Sequence, residues 1–517
     1  MEFIRNFPLF TIVFSLFSSV LCMMLDGKRA RNWTALYEGV LLVLVSAVLW
    51  YTARTGASFT YVMGEFPAPW GNEIRAGILE ALLALAFLLV LLCSLLGGWH
   101  FLKIDVEESK INLFFTLVNL LTAALMALVW TNDIFTGYVF LEILTLASCG
   151  ILIVREIGRT TLAAVRYMIM NLLGSGLFLL GVVLLYALTG HLLMVPMHGA
   201  IAEIVQEGQT MTLTFALGIL TIGLGIKSGL FPFHFWMPDT YGSATPSSAS
   251  ILSALVSKAY LFLLFKIYWR VVGMDVFAQL PIRPLLYWLG IGGMIFGSVS
   301  AIRANNINRM VAFSSAAQIG YIYMGFGMEG GAMAALFQIF SHAVTKSLLF
   351  LTTPRLAEVS GDSLLFRNLQ GSGGRARSAG IFFTIGSLSM VGIPIFAGFA
   401  AKLAFAVAAA ETGQLWVIFS TMLALGISSV LNALYFIRTV IRIYSRGRGW
   451  AAKISAPEAY ARQHHDESAA PIERDSSLST RLSYWIPAAV LTACNLFLGL
   501  FSWVTMDLIQ RGLSMFA

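Results

Sequence analysis

Runs of about 20 mostly apolar residues recur through the 517 positions of this chain, and they constrain its fold more than any other feature. Such a run is the length of a bilayer-crossing helix. Water is absent at that depth, so backbone donors and acceptors must pair within the segment, which selects α-helices for runs of this length. About 14 runs lie near residues 7–24, 34–51, 76–98, 111–131, 134–153, 168–189, 210–230, 247–269, 284–302, 310–328, 331–353, 379–408, 414–440 and 483–508. The expected fold is an all-α polytopic membrane protein with about 14 transmembrane helices. Composition agrees: 58% of residues are hydrophobic, 11% are charged, and the mean hydropathy is +0.81.

The formal charge of +7 does not point to nucleic acid, because the basic residues sit in short loops between apolar runs. With the amino terminus outside, the inside loops hold Lys28, Arg29, Arg31, Lys103, Lys110, Arg155, Arg159, Arg166, Arg303, Arg309, Arg355, Arg367, Arg375, Arg377 and a cluster between Arg438 and Arg481. The outside loops hold little beyond Arg54, Arg75 and Arg283. Both termini are therefore expected outside, in a prokaryotic cytoplasmic membrane. The first run lacks a small-residue cleavage site and reads as a retained helix. On that inside assignment the glycosylation sequon at Asn32 is discounted. Residues 51–75, mixed in Thr, Ser, Tyr, Gly and Pro, suggest a small outer hairpin. Residues 446–483 form the one long polar stretch, read as a loop or surface helix with a solvated His464 and His465 rather than a metal site. The chain divides as an N-terminal three-helix segment (1–110), a first repeat (111–270), a second repeat (271–445), and the polar loop with the last helix (446–517).

Charged residues inside the apolar runs are the functional signal. A charge at bilayer mid-depth costs about 2.5–3.5 kcal/mol on insertion scales, so it is kept only where it meets protein, water or a counter-charge. Lys227 stands in the seventh run just before Pro232, and Lys402 stands in the twelfth just after Pro394. Each proline removes a backbone donor, and the freed carbonyls are tolerated only beside protein or a wet cavity. The reversed order of lysine and proline is what an inverted-topology repeat predicts, with helices 7 and 12 broken. Glu142 in the fifth run offers Lys227 a counter-charge, and separating such a pair makes both groups exchange protons more readily; a static pair that fixes helix packing is the competing reading. Lys258 lies too deep to snorkel, whereas Lys266 nearer the helix end is expected to snorkel and is left out. Ser250, Ser253 and Ser257 recur on one stripe of the same run, suited to water or to close helix packing. His342 and Lys346, four apart in the eleventh run, share a helix face and suit a relay, with Ser314 and Gln318 as bridging groups. His234 is a further supporting polar position.

No phosphate loop, dinucleotide fingerprint, haem or iron–sulfur spacing, or zinc-protease motif is present in the sequence. The four cysteines, Cys22, Cys93, Cys149 and Cys494, have no metal-ligand spacing. No cofactor or metal is expected in this chain, so its driving force must be an ion gradient or a partner subunit.

Five segments together resemble the antiporter-like membrane subunits of complex I, Mrp-type sodium/proton antiporters and membrane-bound hydrogenases. They are Gly225-Ile-Lys-Ser-Gly-Leu-Phe-Pro-Phe-His-Phe-Trp-Met-Pro-Asp239, Ala244-Thr-Pro-Ser-Ser-Ala-Ser-Ile-Leu-Ser-Ala-Leu-Val-Ser-Lys258, Phe140-Leu-Glu-Ile-Leu-Thr-Leu146, His342-Ala-Val-Thr-Lys-Ser-Leu-Leu-Phe350 and Gly392-Ile-Pro-Ile-Phe-Ala-Gly-Phe-Ala-Ala-Lys402. The resemblance covers about residues 110–440. It implies two inverted five-helix repeats, helices 4–8 and 9–13, and a hydrated axis in the membrane plane. On it Glu142 and Lys227 form the coupling pair, Lys258 the central relay and Lys402 the exit-side group. Two places depart from the family pattern: Asn306-Ile-Asn-Arg309 stands for Asp-x-Lys-Arg, and Pro238-Asp-Thr-Tyr241 for Pro-Asp-Ala-His. Residues 61–75 resemble the matching loop of the D-type Mrp subunit and its hydrogenase counterpart. The implied function is proton translocation in a multisubunit complex, read as Mrp-type cation/proton antiport, with the pump module of a redox complex as the alternative. Implied partners are other membrane subunits, homologous antiporter-like ones among them, together with protons, the bilayer and, on the antiport reading, sodium.

Overall fold

The computed structural model describes residues 2–66, 71–445 and 478–516. Among the described residues the regular structure is helical except for one hairpin, in which Phe59–Val62 pairs antiparallel with Glu73–Ala76, Phe59 opposite Ala76. Among the described residues twelve helices are long and apolar enough to cross a membrane. Two of the expected spans take another form. Ile307–Gly327 is diluted by serine, glutamine and tyrosine, and the twelfth run is broken into Arg377–Val391 and Ala397–Glu411.

Both breaks form where glycine permits a left-handed turn. The helix Thr210–Ser228 ends at Gly229 (φ +83°), a short turn Phe233–Trp236 follows Pro232, and Met237–Ser243 resumes the path. Arg377–Val391 ends at Gly392 (φ +91°), and Pro394 and Ile395 lead into Ala397–Glu411. The sequence expectation of broken seventh and twelfth helices therefore holds in outline.

Two helices form the centre. Pro246–Val272 and Ala332–Glu358 are buried over their whole apolar windows, as helices that are apolar all round must be. The first of them carries two wider turns, Leu252–Val256 and Ile267–Val272, a departure that tends to mark functional positions.

The fourteenth run is not one span. Leu478–Leu500 ends, and a separate helix, Ser502–Ser514, follows with Asp507 and Arg511 paired at 2.8 Å on its exposed side. That polar face keeps it from continuing into an apolar layer, and its Gly512 packs against Leu79 instead. The Arg75 guanidinium donates to the Met515 carbonyl, and the turn Glu2–Asn6 contacts the first hairpin strand, so both described ends of the chain lie on the hairpin face. A further short helix, Met194–Gln206, was hidden from the sequence reading by Pro196, His198 and Glu203 within an otherwise apolar stretch. Residues 446–477, with His464 and His465, lie outside the described residues.

Candidate functional site

The Lys227 side chain is fully buried, and its Nζ lies 3.6 Å from Glu142 Oε1. Those two helices are brought together through Gly158–Thr189: a Cβ on Gly174 would lie 3.0 Å from Lys227 Cγ, so glycine there makes room for the lysine. The ion pair is loose. At 3.6 Å no hydrogen bond forms, and Lys227 Nζ instead donates to Thr145 Oγ1 at 2.8 Å. Thr145 Oγ1 is in turn 3.1 Å from the Tyr260 hydroxyl, which carries the polar contact onto the helix of Lys258.

Lys258, His342 and Lys346 are all buried on the two central helices, Pro246–Val272 and Ala332–Glu358. Lys258 Nζ donates to the Ser253 carbonyl and, at 3.1 Å, to Ser257 Oγ. Ser253 Oγ lies 2.9 Å from Ser315 Oγ, and the neighbouring Ser314 Oγ accepts from Lys346 Nζ, which also donates to the Val311 carbonyl at 2.7 Å. The two lysines are thus joined by a short bridge of serines. Both His342 ring nitrogens are buried without a hydrogen-bond partner among the described residues. Ser250 joins Ser94 and Ser347 in a buried trio with oxygen separations of 2.7–2.9 Å, which ties three helices together beside the lysines.

Past Lys346 the polar contacts run to the second break. Thr345 Oγ1 is 3.4 Å from Ser389 Oγ, and Asn495 donates to both, at 2.7 and 3.0 Å. Lys402 Nζ caps the break, donating to the Val391 carbonyl at 2.5 Å and to Ser429 Oγ at 2.9 Å, with the Tyr321 ring 5.9 Å away. Carbonyls freed by the left-handed turn thus receive a cation. Pro232 and Pro394 stand at the two breaks, as expected.

Three sequence expectations need correction or refinement. Lys266 does not snorkel: it is fully buried, and its Nζ donates to the carbonyls of Leu128 and Val129, free at the C-terminal end of Ile111–Trp130, and of the capping residue Thr131. Gln318 accepts from Gln338 at 2.6 Å rather than meeting His342. His234 sits on the turn after Pro232 beside the Phe231 ring, with its Nδ1 unpartnered, and no contact joins it to the lysines among the described residues. The two segments that depart from the family pattern meet through residues that keep it, since Asp239 pairs with Arg309 at 3.0 Å and with Arg166 at 2.7 Å, while Asn306 caps its helix. Sequence reasoning also missed a buried pair, Glu80 with Arg270 at 2.6 Å, both about 2% exposed. Arg270 further donates to Asn132 at 3.1 Å and stacks on the Phe516 ring at 4.0 Å. Both residues sit at run ends, where a charge looks like an ordinary interfacial residue.

Comparison with known proteins gives a consistent answer. The family model described as NADH:quinone oxidoreductase/Mrp antiporter, transmembrane, matches residues 131–428. The N-type subunit of NADH-quinone oxidoreductase from Desulforudis audaxviator is 29% identical over 509 residues, covering 96% of each chain. The D-type subunit of the Na(+)/H(+) antiporter from Bacillus subtilis is 26% identical over 443 residues, covering 85% of this chain and 86% of that one. In fold, the chain is similar to a chain of the Mrp complex from Dietzia sp. (TM-score 0.84, 23% identity, 99% and 97% covered). It is likewise similar to a chain of an archaeal membrane-bound sulfane sulfur reductase (TM-score 0.81, 23% identity, 100% and 97% covered). With its family segment spanning the loose pair, the serine-bridged lysines and the second break, the chain belongs to the transmembrane antiporter family of NADH:quinone oxidoreductases and Mrp antiporters.

Proposed function

We propose that this chain moves protons along a relay from Glu142 and Lys227 through Lys258, His342 and Lys346 to Lys402, as one subunit of a multisubunit membrane complex. The observation that carries the reading is the run of three fully buried lysines, Lys227, Lys258 and Lys346, and a half-buried fourth, Lys402, of which only Lys227 has a carboxylate within 4 Å among the described residues. Lys258, Lys346 and Lys402 are not held by a fixed counter-charge among the described residues, so each can take up a proton and pass it on. Several buried polar atoms along the same line have no hydrogen-bond partner among the described residues, including both His342 nitrogens, Gln318 Nε2, Ser387 Oγ and Tyr321 Oη. Buried polar groups are otherwise nearly always satisfied, so this set argues for water along the axis. In the proposed step a partner subunit draws Glu142 away from Lys227, which then gives up its proton toward the centre.

The relatives and structural neighbours belong to assemblies, so the driving force is assigned to partner subunits, some of them homologous to this one. Cation/proton antiport and redox-driven pumping both use this relay; sodium belongs to the first. The 14-helix count, the two inverted repeats, the cytoplasmic membrane and the outward hairpin face are part of the same proposal, supported by the arginine and lysine distribution. The test is proton flux through the purified assembly in proteoliposomes carrying Lys346→Met. Flux lost at least tenfold with normal assembly is expected, and wild-type flux would remove Lys346 from the path.

A further inference from the structure

A second set of buried polar groups lies apart from the lysines, between the helices Phe7–Met23, Gly27–Thr55 and Ile111–Trp130. Thr11, Ser15, Ser18 and Cys22 recur at three- and four-residue intervals and so share one face of the first helix, a stripe about 16 Å long. Each meets a polar partner. Trp130 Nε1 donates to Thr11 at 3.1 Å, the Tyr37 hydroxyl to Ser15 at 2.8 Å and Trp33 Nε1 to Ser18 at 2.7 Å. Asn119 Nδ2 faces Ser18 Oγ, Cys22 Sγ and Thr34 Oγ1 at 3.1–3.3 Å. Glu38 sits in the middle of this seam, one helical turn beyond Thr34, and is fully buried.

The seam has acceptors without donors. Glu38 Oε1 receives the Thr122 hydroxyl at 2.9 Å, whereas Glu38 Oε2 and Asn119 Oδ1 are buried with no partner among the described residues. No cation pairs with Glu38 there either. The helices Phe7–Met23 and Ile111–Trp130 carry no charged residue. On its own helix the nearest cation, Arg31, is seven residues or about 10 Å away along the axis and lies over the Trp99 ring at 4.7 Å. Lys28 and Arg29 are farther toward the same end, and Arg54 is at the other. On the packed helix Ile78–Asp105, Glu80 is engaged by Arg270, and His100, Lys103 and Asp105 cluster at its last turns. The titratable groups that face the seam are the Tyr37 hydroxyl and the Cys22 thiol, and neither supplies positive charge.

An isolated carboxylate in such a place is unfavourable, and one proton resolves both defects. It removes the charge and turns Oε2 into a donor. We infer that Glu38 is a second, reversible proton-binding site of this chain, set in the polar seam of the N-terminal helices and separate from the lysine relay. The proton comes from hydronium that reaches the seam; one O–H bond forms on the carboxylate and breaks on release. Hydroxyl and amide groups of Ser18, Thr34, Asn119 and Thr122 supply the polar lining. The site does not depend on the relay proposed above, since none of the polar contacts of the seam reaches a relay lysine.

Infrared difference spectroscopy of the purified assembly during pH titration tests this. Wild type should show a protonated-carboxyl C=O stretch that weakens as pH rises, shifts in deuterium oxide within minutes, persists in Glu142→Gln and is lost in Glu38→Gln. Thr122→Val, which removes the donor to Oε1 but keeps the side-chain shape, should move the band. It also serves as the readout if Glu38→Gln fails to assemble. A band unchanged in Glu38→Gln overturns the inference, as does one unmoved in Thr122→Val. A band that stays unshifted in deuterium oxide for hours means a locked structural proton and also overturns it. A band abolished by sodium chloride but not by choline chloride at fixed pH would make this a metal-cation site instead.

Discussion

Replacing Glu142 with glutamine keeps the side-chain shape and removes the one counter-charge of Lys227 among the described residues. At 3.6 Å the pair is worth about 4.5 kcal/mol for an effective dielectric of about 20. The Glu142 side chain is 24% exposed, so solvent screening leaves roughly half of this, about 2 kcal/mol. At about 1.4 kcal/mol per factor of ten, the charged state of Lys227 becomes roughly 30-fold harder to populate, and proton flux should fall by about that factor. Packing should survive, because Lys227 keeps its hydrogen bond to Thr145 at 2.8 Å. The assay is dye-monitored acidification by the assembled complex in proteoliposomes under a fixed driving force, with subunit stoichiometry checked on the same sample. Glu142→Asp, still ionisable, should keep a measurable part of the flux. Flux within twofold of wild type in Glu142→Gln would show that the pair is a static packing device.

Lys402→Met should block translocation while Lys402→Glu, which can still carry a proton, should retain a measurable part; a lysine that only caps the carbonyl of Val391 predicts instead that both lose complex yield alike. Glu80→Gln should cut thermal stability by about 3–5 kcal/mol, because it leaves Arg270 buried without its partner at 2.6 Å, and the double substitution Glu80→Leu with Arg270→Met should recover most of that loss. Thermal unfolding of the single and double variants checks this, and a double variant no more stable than the single would refute it.

Much of the proposed relay was legible because charges inside long apolar runs stand out against lipid. Lys227, Lys258 and Lys346 proved fully buried and Lys402 half-buried, and both proline breaks fell at glycines with positive φ. The hairpin was legible from its turn-forming composition. Partner choice was not, since it depends on which helix faces which: the serine bridge from Ser253 to Ser315 links residues 62 apart in sequence. Run ends misled for a related reason. A lysine near a helix end has either water or the free carbonyls of a neighbouring helix within reach, and for Lys266 it is the carbonyls. Glu38 escaped notice because Lys28, Arg29 and Arg31 precede it and make the segment resemble an interfacial helix start. The last run read as continuous because Asp507 is the one charge inside residues 483–508, too little to interrupt an apolar count, although with Arg511 four residues on it turns one face of Ser502–Ser514 polar.

Lys258 is where the relay is most exposed to disproof. It is fully buried, it has no carboxylate partner among the described residues, and its Nζ rests on the Ser253 carbonyl and Ser257 Oγ. Methionine matches its length and suits an apolar interior, so Lys258→Met should leave assembly and thermal stability intact or slightly raised. Proton flux by the reconstituted complex carrying Lys258→Met is the most direct measurement: a loss of at least tenfold at unchanged assembly is predicted, and flux equal to wild type would contradict a proton path through the buried lysines.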